Sequence, residues 1–272
     1  MKNNPEFYKY TSANTCLLIL KNLTIRWNSP LCFNDPFDSQ LNIHFGDNSY
    51  INRVKEHVMQ EAGEVFDDLA QKELSELCDK WLDHEKEILA KAHTQWESYA
   101  RGVRIFCVTE KFDNLLMWAH YTCDHKGVVL KFREIDRGGL QLNNMKKVTY
   151  AENIPLASLM MEDFMKFCVQ ESKIDYYDDV FFETIYTKSI HWNYEQEWRA
   201  INFVKSEEDI GKGYKDSNIV PEEIDSIYLG CKMSEADKKE IIALAKGKSK
   251  NIRVFESKKH PQRFALEFTP IM

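Results

Sequence analysis

Three stretches gather side chains that can do chemistry. In Trp192-Asn193-Tyr194-Glu195-Gln196-Glu197-Trp198-Arg199 the two glutamates are two residues apart. On an extended strand both carboxylates would face the same side. Two such groups repel, which holds one pKa high. One could then orient or deprotonate a substrate while the other stabilises positive charge. The competing reading is a surface edge, with Arg199 in an exposed ion pair worth little.

The second stretch is Asp113-Asn114-Leu115-Leu116-Met117-Trp118-Ala119-His120-Tyr121, followed by His125-Lys126-Gly127. Trp118, His120 and Tyr121 put three polar-tipped rings on one short helical turn, which suits the wall of a pocket for a planar ligand. For each ring alone, core packing is the simpler assignment. His120, Cys123 and His125 carry metal-binding atoms, but the spacing is irregular and no second pair closes a structural site. No metal is expected. The third stretch, Phe33-Asn34-Asp35-Pro36-Phe37-Asp38, reads as a rigid turn. Asp35 or Asp38 would cap a helix there, the phenylalanines would pin the loop, and Asn34 and Asp35 are candidates to touch ligand.

The elements that must position these groups follow from periodicity. Strands are expected at Tyr8–Tyr10, Leu23–Trp27, Val103–Thr109, Gly127–Phe132, Lys147–Ala151, Trp198–Val204, Ile224–Leu229, Ile252–Phe255 and Phe264–Phe268. A short helix over Asn14–Asn22 would turn Leu17, Leu18 and Ile19 inward. Residues 51–100 keep a three-or-four apolar spacing and read as a helical hairpin inserted on a sheet core. Leu156–Tyr186 reads as helical, and Ser234 would cap a helix running to about Lys246. Helices and strands alternate irregularly, which favours one α+β domain over residues 1–272 with a mixed or mostly antiparallel sheet. No glycine-rich loop follows a strand, and Gly211-Lys212-Gly213 reads as a plain loop, so a dinucleotide-binding βαβ unit or P-loop is not expected.

The chain has 272 residues, 43% hydrophobic and 29% charged, with a net charge of −7. That is globular composition, and the acidic balance argues against a protein devoted to non-specific nucleic-acid binding. Lys146-Lys147, Lys246–Lys250 and Lys258-Lys259 are short basic runs that read as solvated. No apolar run approaches the roughly 18 residues of a spanning helix, and no membrane association is expected. The seven cysteines are scattered without a C-x-x-C pair, which reads as reduced thiols in a cytoplasmic protein.

The order of Tyr8-Lys9-Tyr10, Phe33-Asn34-Asp35-Pro36-Phe37, Asn114–Tyr121, His125-Lys126-Gly127, Tyr194–Arg199 and Ile227-Tyr228-Leu229-Gly230 resembles the bacterial domain-of-unknown-function family twenty-nine seventy-one. A more distant resemblance is to ADP-ribosyltransferases. These proteins have a split, mixed sheet around an NAD cleft, and many carry a Glu-x-Glu strand motif. Glu195-Gln196-Glu197 matches that last element. Thr109 or Tyr121 would serve as the middle one. For the first element this chain offers Lys9 and Tyr10, or Arg26, and no histidine.

The resemblance implies an enzyme that takes NAD as cosubstrate, cleaves the nicotinamide–ribose bond and transfers ADP-ribose to a protein, nucleic-acid or other acceptor. Glu197 would bind the ribose hydroxyl and favour the cationic transition state, and Glu195 would orient or deprotonate the acceptor. Tyr121 or Trp118 would stack on nicotinamide, with His120 beside them. Lys9 or Arg26 would meet the diphosphate, with Tyr10, Asn34 and Thr109 lining the cofactor site. Glu197→Gln is then expected to keep the fold and remove most activity. A toxin or phage-defence role, with a neutralising partner, would suit such an enzyme. The alternatives are a non-enzymatic nucleotide- or partner-binding module, and a metal-dependent nucleic-acid-processing enzyme using Asp35, Asp38, Glu195, Glu197 and His120.

Overall fold

The computed structural model describes residues 5–39, 42–44, 94, 96–135, 138–140, 142–154, 156–158 and 176–271. Most of the expected helical insertion at 51–100 lies outside the described residues, apart from helical positions at 94 and from 96 onward.

Ten strands form the main sheet. Its path runs β11 (Tyr214–Asn218), β2 (Thr24–Asn28), β4 (Val103–Thr109), β1 (Phe7–Thr11), β5 (Val128–Phe132), β12 (Ile224–Leu229), β13 (Arg253–Lys259) and β14 (Leu266–Pro270). Beside this path, β10 (Glu197–Phe203) pairs with β4, and β6 (Lys146–Lys147) pairs with β10. Every pairing in this sheet is antiparallel except β12 with β13. The fold is thus α+β with a mixed, mostly antiparallel sheet.

Alternation along the strands sorts side chains onto two faces. On one face Phe7, Phe106, Val108, Leu130, Ala200, Ile227 and Leu229 join a single large core. Helices α1 (Ala13–Asn22) and α5 (Glu235–Lys248) contribute to it through Leu20, Ile241 and Ala245. Ser12 caps α1 by accepting the Thr15 N–H, and Leu23 closes it in the left-handed region at φ 52°. The buried stripe of α1 is Cys16, Leu17, Ile19 and Leu20. Leu18 is half exposed, contrary to the expected inward position, because its rotation about the helix carries it off that stripe.

On the other face the core splits. Ile105, Trp96, Phe181 and Ile185 pack in one cluster, while Tyr8, Tyr10, Met117, Trp118 and Tyr228 pack in another. The split follows the backbone: β1 and β4 share one registered pair, Tyr8 with Thr109, whereas β4 runs a seven-residue ladder with β10. Lys9 bridges the diverging strands by donating from Nζ to the Cys107 carbonyl at 2.9 Å.

Several local expectations need correction. Lys147–Ala151 is not one strand: β6 joins the main sheet, while β7 (Thr149–Ala151) pairs with β9 (Thr187–Ser189). Leu156–Tyr186 is not one helix. Leu156–Ser158 is a strand, β8, parallel to β3 (Asn42–His44), and the described helix is α3 (Tyr176–Tyr186). Glu207–Lys212 forms a short helix, α4, so Gly211 and Lys212 of the expected Gly211–Gly213 loop are its last residues, and Gly213 ends it at φ 69°. Cys16, Cys32, Cys107, Cys123 and Cys231 are free thiols. Among the described residues no helix is long and apolar enough to cross a membrane.

Asp225 ties β12 to its neighbours. It accepts from Ser226 Oγ (2.6 Å), from Arg133 Nη2 just beyond β5 (2.5 Å), and from Arg253 on β13. Burial pushes its pKa up, but the bonds from Ser226, Arg253 and Arg133 outweigh that and hold it at about 2. A depressed carboxylate stabilises the fold above its unfolded value and loses that contribution as pH falls through the folded one. Asp225→Asn is therefore expected to be less stable than the parent above about pH 4, with the gap closing as pH approaches about 2. Urea unfolding midpoints taken across that range check this, and a gap that stays constant with pH would contradict it.

Candidate functional site

A cavity of about 140 Å³ opens at the seam between the two clusters on the split face. A space of roughly 150 Å³ is enough for one benzene ring, so the enclosed part admits a single ring or sugar. Its walls include Tyr8 and Tyr10 of β1, Asn34, Thr109 of β4, Met117 and Tyr121 of α2 (Leu115–Tyr121), and the charged groups described next.

The base of the cavity is a chain of buried ion pairs. Arg199, fully buried, reaches Asp38 through Nη1 (2.9 Å) and Nη2 (2.6 Å), and Glu197 through Nε (2.8 Å) and Nη2 (3.1 Å). Lys188 Nζ donates to Glu197 at 3.0 Å and to Glu195 at 2.6 Å, and lies 3.7 Å from Asp38. Tyr121 donates its hydroxyl to Glu195 Oε1 at 2.5 Å. Phe33 lies under the Arg199 guanidinium and Trp192 under the Lys188 ammonium, at 5.3 and 5.0 Å. Charge removed from water survives only with such pairing.

The two glutamates converge, although not by strand alternation. Glu195 ends a 3₁₀ turn running Ile190–Glu195, which Ser189 caps by accepting the His191 N–H. Gln196 then sits in the left-handed region at φ 46° and ψ 52°, and Glu197 opens β10. The Tyr150 hydroxyl accepts the Glu197 N–H at 2.8 Å, and Thr109 donates to the Glu195 carbonyl. The backbone on both sides of the left-handed residue is thereby held.

The expected repulsion between the carboxylates resolves into opposite shifts. Burial drives the Glu195 pKa up, and Lys188 only partly offsets it. Burial acts upward on Glu197 too, but Arg199 and Lys188 overwhelm it and hold that carboxylate well below its usual range. Burial alone would lower Lys188, yet Glu197, Glu195 and Asp38 raise it. Lys9, buried against the Phe106 ring at 4.8 Å, is lowered by desolvation. Glu197 is thus the carboxylate held more firmly ionised, and Glu195 the one whose pKa is raised.

Of the residues singled out in the sequence, Lys9, Tyr10, Asn34, Thr109, Tyr121, Glu195 and Glu197 line this cavity. Trp118, His120 and Arg26 do not. Trp118 is fully buried, donates from Nε1 to the Phe112 carbonyl (2.8 Å) and meets Tyr10 edge-on at 5.6 Å, so it braces the wall. His120 is exposed, because one residue of helical rotation turns it away from Tyr121. Arg26 lies on β2 with both donors on Asp216 (2.9 and 3.0 Å) and its guanidinium 3.7 Å over Tyr214. Asp35 accepts the Phe37 N–H at 2.9 Å as a local turn, and Phe37 is exposed rather than pinning the loop. Among the described residues Asp38 caps no helix; it pairs with Arg199. His125 stacks on Trp118. Among the described residues no group of three His, Cys, Asp or Glu is placed to hold a metal.

Sequence reasoning missed Lys188, and it placed Arg199 only in the competing reading, as half of an exposed ion pair. Arg199 had a signal: it lies two residues after Glu197, and β10 turns both to the split face. Lys188 had none, since a single lysine after a helix carries no pattern.

Residues 117–200 match the family model described as DUF2971, protein of unknown function. Over those residues the chain is similar to that family. The matched stretch spans α2, β5 and the approach to β10, and it contains Met117, Tyr121, Lys188, Glu195, Glu197 and Arg199. The DUF2971 match thus covers most of the charged chain, whereas Lys9, Tyr10, Asn34 and Asp38 precede it. No curated protein and no solved structure matches the chain.

Proposed function

We propose that the cavity is the reaction site of an NAD-dependent ADP-ribosyltransferase-type enzyme, acting on the bond between nicotinamide and ribose. The observation that carries this reading is convergence: both acids of Glu195-Gln196-Glu197 meet Tyr10 and Tyr121 around one sheltered space sized for a single ring. The distant resemblance to ADP-ribosyltransferases points the same way. The nicotinamide ring would occupy the cavity and the rest of the dinucleotide would lie across its mouth.

The reaction breaks the bond from ribose C1′ to the nicotinamide nitrogen, whose electron pair leaves with the neutral nicotinamide. C1′ passes through a cationic, oxocarbenium-like state and bonds to the acceptor oxygen or nitrogen, which gives up a proton. Fixed negative charge beside a developing cation in a low-dielectric site is worth more than in water. Glu197, held ionised by Arg199 and Lys188, supplies that charge. Glu195, with its raised pKa, takes the acceptor's proton, and Tyr121 orients it. The opposite shifts of the two glutamates support this division of roles.

One observation favours the binding-module alternative. Every carboxylate in the site already has a cation against it, so the cavity is a finished polar receptor as it stands. Incubating the chain with NAD and following free nicotinamide by mass separates the two. Release of nicotinamide with loss of NAD is expected. Saturable NAD binding with no release would favour the module, and neither binding nor release would overturn the NAD assignment. A cytoplasmic toxin or phage-defence setting belongs to this proposal through the same resemblance.

A further inference from the structure

A second cavity, of about 580 Å³, meets α2 at Leu115, whereas the first meets that helix at Met117 and Tyr121. Its volume lies within the roughly 300–1,000 Å³ of ligand sites. Three turns build it. His125 comes from the α2–β5 turn, Lys232 from the β12–α5 turn, and Lys259 to Leu266 from the β13–β14 hairpin. The turns are locked together. The Lys232 N–H donates to the His125 carbonyl (3.0 Å), and the Gly230 N–H to the Gly127 carbonyl (2.9 Å). A Cβ at Gly230 would come within 2.2 Å of the His125 carbonyl oxygen, which is why glycine stands there. In the hairpin, His260 Nδ1 accepts the N–H groups of Gln262 and Arg263, both at 3.0 Å, and fixes the tip.

The charge of this cavity runs against that of the chain. The protein carries −7 overall, yet the charged residues lining the cavity are Lys232, Lys259 and Arg263, with no carboxylate among them. Among the described residues none of these three cations forms an ion pair, whereas Lys21, Lys131, Lys238, Arg133 and Arg253 all do. The nearest acid along the hairpin, Glu267, faces His260 at 3.6 Å. Phe264, between Arg263 and Ala265, is completely exposed at 102%. His125 Nδ1 is buried with no protein partner. Arg263 Nε donates to His260 Nε2 at 2.9 Å, which leaves its terminal nitrogens to meet an anion. Cations free of carboxylates beside an open aromatic face match what a single strand of nucleic acid needs: cations for the phosphates and a ring for a base to stack on.

We infer that this cavity binds single-stranded nucleic acid, with Lys232, Lys259 and Arg263 meeting backbone phosphates and Phe264 stacking on a base. The inference does not depend on NAD chemistry, since its test reads binding alone. A fluorescein-labelled oligo(dT) of about 12 nucleotides, within the usual site sizes, is titrated with the full chain while anisotropy is followed. With three phosphates neutralised, log K should fall against log salt with a slope of about −2. Phe264→Ala should weaken binding about tenfold. The triple variant Lys232→Glu, Lys259→Glu, Arg263→Glu should abolish it. All four residues are exposed, so both variants should keep the native circular dichroism.

No binding at low salt, or the same affinity in both variants, would overturn the inference. So would displacement of the oligonucleotide by poly-glutamate as readily as by unlabelled oligo(dT). Loss in the triple variant but not in Phe264→Ala would reduce the cavity to a general anion site and overturn the nucleic-acid assignment.

Discussion

Arg199→Met is expected to destabilise the protein by about 3–5 kcal/mol, the usual cost of removing one partner from a buried ion pair. Arg199 is fully buried and touches two carboxylates, Asp38 and Glu197, besides the Ile185 carbonyl at 2.5 Å. Methionine would fill much the same space and satisfy none of them. Lys188 would remain as the cation paired with Glu195 and Glu197 and 3.7 Å from Asp38. The loss should also depend on pH. In the parent, Glu197 is depressed below 4.5, chiefly by Arg199 and Lys188 acting against burial. Its contribution is therefore present above 4.5 and fades as pH falls through the folded value. The variant lacks much of that contribution, so the gap between parent and variant should be widest near neutral pH and shrink in acid. Guanidinium unfolding at pH 7 and pH 4 measures both quantities. A change under about 1 kcal/mol at pH 7 would mean that the network is not holding the site together.

Glu195→Gln should cut nicotinamide release by roughly a hundred- to a thousandfold, the range for losing one positioned charge or donor at a reacting centre. Its effect on stability should have the opposite character to that of Arg199→Met. The folded pKa of Glu195 is raised, first by burial. A raised carboxylate costs stability as pH climbs from the unfolded value through the folded one. A neutral glutamine removes that cost and can still accept from the Tyr121 hydroxyl. Lys188 loses Glu195 but keeps Glu197 at 3.0 Å and Asp38 at 3.7 Å, so the variant should be folded and close to the parent in stability at pH 7, which makes its activity interpretable. Glu197→Gln is a poorer test than the sequence suggested. Expecting it to leave the fold intact overlooks Arg199 and Lys188, buried cations that would each lose one charged partner, leaving Arg199 with Asp38 alone. If Glu195→Gln released nicotinamide as fast as the parent, Glu195 would have no part in the reaction.

The sequence made much of this arrangement readable, for definable reasons. Strands such as β4 and β12 announce themselves because residues such as Phe106, Ile227 and Leu229 must bury a face. The acids of Glu195-Gln196-Glu197 were legible as a pair because two carboxylates at that spacing are chemically conspicuous. Their route to one cavity was not, since it depends on the left-handed backbone of Gln196, a residue type with no special preference for that conformation. Lys188 escaped because burial, not residue type, gives it its role. Asp38 was named as a cap or a metal-dependent acid, but its pairing with Arg199, 161 residues along the chain, was not legible. His120 misled for the converse reason. It sits next to Tyr121 in sequence, but helical rotation separates neighbours and turned it outward. The break into β6 and β7, in different sheets, was invisible because both halves share one β-rich run.

On the proposed reading, the bond that breaks lies where Tyr10, Tyr121, Glu195 and Glu197 meet. A crystal structure of the chain grown with a non-cleavable NAD analogue tests this most directly. The account predicts a nicotinamide ring enclosed by the two tyrosines, with the adjoining ribose beside the glutamate carboxylates. An analogue bound elsewhere on the molecule, with this cavity holding only solvent, would contradict it.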